Sequence, residues 1–297
     1  SIVEYIYIMS ITRQNLSVII VIYKSEHVIE NCINSIDSEI EIIVVDNSNN
    51  DQLKKKIETK YKNVKCILSK KNLGMGAGNN LGIKSVNKDF VLILNPDVTL
   101  EKSSIDEIIQ ASKEIDNFGI IAPLSNKSEY PNYTLREGEN FDSIKPFKVK
   151  SVDGYAMLLN LKKLKKLNNF YFFDENFFLY LENEDLCKRL ENDEYIYIVP
   201  KSRIQHLGGK AVDPKYKKEI EYLRNWHWMW SKFYFNKKHY GYMTAVLRVF
   251  KNLISANMKF LYYLITLNTF KRKIYQMRLL GLMSSMKGKK SYYRPKL

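Results

Sequence analysis

Acidic residues stop at Glu221. The 76 residues after it hold 16 Lys and Arg and no Asp or Glu. The whole chain carries 47 Lys and Arg against 32 Asp and Glu, a net charge of +15, so the first 221 residues are close to neutral. A neutral body with a strongly basic end points to an anionic partner for that end: membrane lipid, nucleic acid or an acidic substrate. Cysteine is scarce. Cys32, Cys66 and Cys187 are far apart and odd in number, which excludes a disulfide framework and gives no zinc spacing. Each falls in an apolar or helical pattern, so buried thiols in a reducing compartment are expected. No window reaches ~18 uninterrupted apolar residues, and no membrane-crossing helix is expected. The N-terminal stretch SIVEYIYIMSITRQN contains Glu4. It lacks a basic start, a long apolar centre and a small-residue cleavage site, which argues against a secretory leader. No internal repeat is present.

The 297 residues are 45% hydrophobic and 27% charged. That suffices for one large domain with an appendage and is not the composition of a disordered chain. Ser17–Tyr23 (SVIIVIY) is a β-branched run that reads as a buried strand. Val28–Ile36 carries Ile29, Cys32, Ile33 and Ile36 at helical spacing. Glu41–Val45 is a second strand, Gln52–Lys60 a polar helix and Val64–Leu68 a third strand. Gly76–Val86 is a helix after a glycine-rich turn, and Phe90–Leu94 a fourth strand. This alternation predicts an α/β fold with a doubly wound, mostly parallel sheet flanked by helices.

In such sheets ligands bind beyond the carboxyl ends of the strands. Each of these strands exits into a polar cluster: Tyr23 to Glu26, Asp46 to Asp51, Lys70 to Asn72, and Asn95 to Asp97. Four clusters on one edge can line one crevice. Ala122 to Lys150 reads as an extended connection. SVDGYAMLLN is a strand pattern interrupted at Gly154, where a bulge would fit. Tyr171–Leu190 starts aromatic, turns acidic and becomes helical. Tyr195–Val199 is another strand, with His206, Gly208 and Gly209 after it. Beyond Lys215 the pattern is helical and basic to the end.

Taken in order, the segments SVIIVIYKS, EIIVVDNSNND, KNLGMGAGNNLGIK, VLILNPDV, VDGYAMLLN, FFLYLENEDLCKRL and HLGG resemble the family 2 glycosyltransferases of the GT-A fold, in particular their rhamnosyltransferase-like branch. The resemblance runs from about Leu16 to Lys210. It implies a catalytic domain over residues 1–210 and a basic, aromatic-rich helical extension over 211–297. It also implies an inverting hexosyltransferase that takes a sugar from a dTDP-, UDP- or GDP-sugar and passes it to a glycan or lipid-linked acceptor in cell-surface polysaccharide assembly.

The family places an Asp-x-Asp motif where this chain reads Asn95-Pro96-Asp97, so only the last acid is present. The resemblance gives Asp97 the Mg2+ or Mn2+ that neutralises a departing diphosphate, with His206 as a further ligand. The residues alone also allow Asp97 to cap the next turn. Asp46, at the end of the second strand, implies nucleoside recognition. Asp51 reads as the N-cap of the following helix. Tyr23, Glu26, Asn72, Gly74, Asn79, Asn95 and Gly154 complete the implied donor crevice. Glycine at 74, 76 and 78 would let backbone N–H groups approach an anion. Asn79 occupies the third glycine position of a dinucleotide fingerprint, which argues against a nicotinamide enzyme.

Relatives carry Glu-Asp-x-Asp at the acidic cluster, with the second acid as base. Here that position is Asn183, and an amide cannot take a proton. The resemblance therefore leaves Glu182 or Asp185 as general base, and Glu184 as an N-terminal helix charge. His27, His227 and His239 receive no role. In the tail, Trp226, Trp228, Trp230, Phe233, Tyr234 and Phe235 mix with Lys and Arg. Further on, Leu247, Phe250, Ile254, Leu261, Leu264 and Ile265 alternate with Arg248, Lys251 and Lys259. This suits helices lying on an anionic membrane, peripheral on its cytoplasmic face, or helices packed on the body. No RNA motif supports nucleic acid as the partner. The rival readings are an inactive homologue serving as a membrane-bound scaffold and, further off, a nucleotidyltransferase.

Overall fold

β1 (Leu16–Ile22) is buried at all seven positions. An unbroken β-branched run leaves no face for water, so it must lie mid-sheet with both sides covered. The computed structural model describes residues 10–115, 117–127, 130–167, 169–191 and 196–295. Residues 1–9, with Glu4, and Tyr195 of the expected last strand lie outside the described residues.

After β1 come α1 (Ile29–Asn34), β2 (Glu41–Asp46), α2 (Asp51–Lys60), β3 (Val64–Leu68), α3 (Met75–Ser85), β4 (Phe90–Leu94), β5 (Val98–Leu100) and α4 (Ser104–Glu114). Then follow β6 (Ile120–Ser125), β7 (Tyr133–Leu135), β8 (Phe147–Val152), β9 (Ala156–Asn160), α5 (Leu161–Leu164), α6 (Glu182–Leu190) and β10 (Ile196–His206). The chain ends in α7 (Lys217–Tyr240), α8 (Tyr242–Ile265) and α9 (Thr269–Met286).

These elements fall into two units. The first holds the described residues up to Asn72, with Gly78–Phe172 and Leu186–Ala211. The second holds Leu73–Ala77, Phe173–Asp185 and the residues from Val212 on.

In the first unit the strand order is β3-β2-β1-β4-β9-β6-β10-β8-β7, with β5 paired to β10. β3, β2, β1 and β4 run parallel to one another. β9 runs antiparallel to both β4 and β6, and β6 is parallel to β10. The parallel register puts the four polar exits on one edge, as the alternation of elements predicts. One core packs beneath, with Ile20, Ile42, Leu92, Ile108 and Leu158 wholly buried. Each such side chain contributes about 1.5–3 kcal/mol relative to exposure.

Four local expectations change. The cap of α2 is Asn50, whose side chain accepts the Leu53 N–H, and Asp51 lies in the first turn. The stretch from Ala122 to Lys150 is not an open connection, since it contains most of β6, all of β7 and the start of β8. Gly154 is no bulge: it lies in the turn between β8 and β9, which pair with different strands. β10 continues through a register shift to His206, so that histidine ends the strand.

In the second unit α7, α8 and α9 pack on one another. Met229, Phe233, Ala245, Val249 and Leu282 form one cluster, and Trp226, Trp230 and Met277 another. Gly281 lets α9 meet the Trp226 carbonyl so closely that a Cβ has no room. Half of the aromatic run of the tail is core: Trp226, Trp230 and Phe233 are buried, Tyr234 and Phe235 are half-buried, and Trp228 is 38% exposed. No helix among the described residues is long and apolar enough to cross a membrane. The three cysteines are buried and form no disulfide.

Candidate functional site

The loops at the carboxyl edge of β1 and β2 are tied to each other. Asp46, fully buried, accepts the Ser48 N–H at 2.7 Å through Oδ1 and the Asn50 N–H at 2.8 Å through Oδ2. Burial pushes its carboxyl above the usual range, and those N–H donors pull against it. Both oxygens therefore shape the turn, and the carboxylate stands under the loop rather than facing out of it. Exposed Glu26 accepts from Asn50 Nδ2 at 2.9 Å, and the Lys24 N–H donates to Ser48 Oγ at 2.6 Å. Tyr23, half-buried, begins this loop with its N–H on Ser25 Oγ.

Asp97 is different. It is buried, with Oδ2 accepting the Lys210 N–H at 3.2 Å and lying 3.5 Å from His206 Nε2. Its Oδ1 is buried and has no hydrogen-bond partner. Burial works to raise its pKa, but His206 and the backbone donors outweigh it and hold the carboxyl below its ordinary value. The strand pair explains the placement: β5 and β10 set His206 opposite Val98, and the Leu207 N–H donates to the Asp97 carbonyl at 3.0 Å. The Tyr155 ring stacks on His206 with centroids 4.0 Å apart. Burial raises the Asp153 carboxyl, and the nearby His206 works against that. Asn95 gives its N–H to the Tyr155 carbonyl, and its side-chain Oδ1 is buried without a partner. Asn79 Oδ1 is likewise buried and unpartnered.

Unpartnered buried acceptors cost free energy unless a donor or cation meets them. Among the described residues no group of three or more His, Cys, Asp or Glu could hold a metal ion. The donor set here is Asp97 and His206, which fits a divalent cation completed by diphosphate and water oxygens and not a protein cage. His27 and Lys210 were missed by sequence reasoning. His27 Nε2 lies 2.8 Å from the Lys210 carbonyl, in the same loop that serves Asp97, and a separation of 183 residues leaves no local signal.

The glycine-rich turn is also a place of close packing. Gly74 has φ +83°, and a Cβ there would strike the Phe178 backbone. The Met75 N–H donates to the Phe178 carbonyl at 2.9 Å. A Cβ on Gly76 would crowd Phe173, and one on Gly78 would meet Val21 at 2.8 Å. At these three positions protein fills the space that a side chain would take. Asn72 is half-buried at the exit of β3, and Gly154 is half-buried in the β8–β9 turn.

The acidic cluster at the start of α6 divides. Glu182 Oε2 is buried without a partner, and burial pushes this carboxyl up to about 7. Asp185 is fully buried, with Oδ1 2.6 Å from Lys238 Nζ and 2.9 Å from His239 Nε2. Lys238 also meets Asp174 at 2.8 Å, and Tyr234 donates to the same carboxylate at 3.0 Å. Asp185 is thus occupied in anchoring α6 to α7. Asn183 and Glu184 are half-buried. Asp174, Lys238 and His239 went unread because their partners come from distant segments. His227, given no role, is a core residue: burial lowers it to about 3, and its Nε2 lies 2.9 Å from the Tyr293 carbonyl.

Comparison with known proteins bears on this geometry. The family model described as glycosyl transferase family 2 matches residues 17–180. The low-salt glycan biosynthesis hexosyltransferase Agl10 of Haloferax volcanii is 32% identical over 197 residues, which cover 60% of this chain and 62% of that protein. The N-acetylglucosaminyl-diphospho-decaprenol L-rhamnosyltransferase of Mycobacterium tuberculosis is 23% identical over 206 residues, 56% of this chain and 66% of the relative. The chain thus spans less than two thirds of either relative's length. Among solved structures, S. aureus TarS 1–349 has a TM-score of 0.54 at 16% identity, covering 94% of this chain and 93% of that one. The mannosyltransferase PcManGT from Pyrobaculum calidifontis, in complex with GDP-Man and Mn2+, has a TM-score of 0.54 at 11% identity, covering 93% and 88%. Both likenesses are of fold: a GT-A sheet with flanking helices.

Proposed function

The chain belongs to glycosyl transferase family 2, and from that premise we propose that it transfers a hexose, with inversion, from a dTDP-, UDP- or GDP-sugar to a glycan or lipid-linked acceptor. Residues 1–210 carry the chemistry in this reading, and residues 211–297 hold the protein against the cytoplasmic face of an anionic membrane during cell-surface polysaccharide assembly. The observation that carries the proposal is Asp97: a buried carboxyl with one oxygen unpartnered and His206 beside the other.

Asp97 and His206 would hold Mg2+ or Mn2+. When bound, such an ion supplies the positive charge that steadies a departing nucleoside diphosphate. Asn95, with its free Oδ1, accepts from a hydroxyl of the donor sugar, and Asn79 from another donor group. Asp46 keeps the β2–α2 turn in the shape that meets the nucleoside, and Tyr23, Glu26, Asn72, Gly74 and Gly154 border the donor.

The acceptor oxygen forms its bond to the anomeric carbon while the bond from that carbon to the diphosphate breaks. The hydroxyl proton passes to Glu182. A carboxyl poised near 7 suits a base working close to neutral pH. Asn183 serves to orient the acceptor, and Asp185 positions Glu182 through the first turn of α6. The names of the relatives support a glycan-assembly role, and the neighbour with GDP-Man and Mn2+ supports a metal and a nucleotide sugar.

The test is thermal unfolding with a panel of nucleoside diphosphates and nucleotide sugars, with and without Mn2+ or Mg2+. Binding to the native state raises the midpoint. The expected result is a metal-dependent rise with one nucleotide, absent in Asp97→Ala. No rise with any donor would sink the transferase reading and favour an inactive scaffold.

A further inference from the structure

α8 is apolar on two opposite sides. Ala245, Val249 and Ala256 are buried against α7 and α9. On the far side Leu247, Phe250, Ile254, Met258, Leu261 and Ile265 follow one another at spacings of three and four and are all exposed. Leu247 is 73% exposed, Met258 66% and Ile265 81%. From the first to the last of these the row is about 27 Å long at the α-helical rise. Other large side chains are exposed singly or in loops, but these six form one unbroken row on one helix face, and a strip of that size marks a contact surface.

The border of the strip decides what it contacts. Arg248 stacks over Tyr240 at 3.9 Å, Lys259 over Tyr275 at 5.4 Å and Lys271 over Tyr263 at 5.3 Å. Lys251 is exposed on the same helix. No Asp or Glu occurs after Glu221 to offset them. An apolar strip edged by cations and tyrosines matches the boundary between acyl chains and anionic headgroups, where cations stay wet and rings sit at the interface. A second copy of the chain does not match. A two-fold contact through this face would set the same cations against each other with no acid between. A spanning helix is ruled out for α8 by its hydropathy.

We propose that the outer face of α8 is the membrane-binding element of this protein. It lies in the plane of an anionic bilayer, with Leu247, Met258 and Ile265 among the acyl chains. The proposal rests on the peripheral-membrane reading above and narrows it to one helix face, excluding the buried tryptophans of α7.

The test is flotation of the full chain with vesicles of phosphatidylcholine alone or mixed with phosphatidylglycerol. The wild type should float with the anionic vesicles. The variant Leu247→Ser/Met258→Ser/Ile265→Ser should unfold at the wild-type temperature, because all three sites face solvent, yet bind about tenfold or more weakly. Lys251→Gln/Lys259→Gln should lose the preference for anionic lipid. Equal, salt-sensitive binding by wild type and triple variant overturns the strip and leaves the membrane reading resting on charge alone. No binding by either overturns both. A wild-type dimer that the triple substitution dissolves also overturns the proposal, by assigning the strip to protein. The nucleotide-dependent thermal shift should be the same in wild type and variant, so donor binding is scored separately.

Discussion

A side chain at position 74 would occupy space already filled by the Phe178 backbone carbonyl, which also receives the Met75 N–H. The most ligand-like stretch of the sequence is therefore, at this residue, a packing joint. Gly74→Ala adds a backbone clash to the strain of φ +83°. Gly138 has the same φ with nothing within 4 Å of a Cβ, so it isolates the strain alone. Gly138→Ala should cost about 1 kcal/mol and Gly74→Ala at least twice that. Denaturant unfolding of the two variants checks this, and equal costs would remove the packing argument.

On the proposed reading, Asp97→Asn and His206→Ala should each lower kcat/KM by about a hundredfold or more, since both would remove groups that meet charge developing on the diphosphate. The loss should appear together with loss of the metal-dependent thermal shift. A variant that keeps both the shift and the rate would free that residue from the site.

Glu182, pushed up to about 7 by burial, gives a pH dependence with a definite sign. As a base it must be ionised, so kcat/KM should rise through about pH 7 and level off above it, and Glu182→Gln should lose that limb. For stability the direction reverses. The folded state keeps the proton longer than the unfolded chain, so stability is full below the unfolded pKa and falls as pH rises toward 7. Glu182→Gln should remove that fall, a difference on the order of 3 kcal/mol above pH 7. Measuring wild type and variant across pH tests both signs, and parallel stability curves would refute the buried, unpartnered carboxyl.

Asp185→Asn should destabilise the protein by about 3 kcal/mol, because it leaves Lys238 and His239 without the carboxylate they share. The pH limb near 7 should survive in whatever fraction stays folded. Loss of the limb in Asp185→Asn, with folding intact, would move the role of base to Asp185.

Trp226→Ala should cost about 3–5 kcal/mol and Trp228→Ala far less, because only the first is enclosed in the helical core. Similar costs in thermal unfolding would contradict the division of the tail into inner and outer residues.

Much of the first unit was legible in the chain. SVIIVIY, EIIVV and FVLIL have no polar face, so they had to lie mid-sheet, and the helices between them forced parallel connections. That placed Asp46 and Asp97 at one edge. Their difference was not legible: Asp46 spends both oxygens on its own turn, while Asp97 keeps one free. Asn50 rather than Asp51 caps α2, since either side chain suits a cap and only the backbone angle chooses. β7 was hidden because three residues with none buried carry little periodicity, whereas β8 does alternate, with Phe147, Val149 and Ser151 buried and Lys148 and Lys150 turned outward.

The sequence by itself determined the strands of the first half and their parallel sense, the polar edge and the basic, acid-free end. Those features rest on local pattern, in which each residue's neighbours in the chain fix its environment. Only the tertiary structure decided which acid of Glu182 and Asp185 keeps a buried oxygen without a partner. The partners of Asp185 lie 53 and 54 residues away on α7, and nothing in the local spacing brings them near. The same holds for α8: its periodicity gives two apolar faces, and only packing against α7 and α9 shows which one is covered and which is left for a partner.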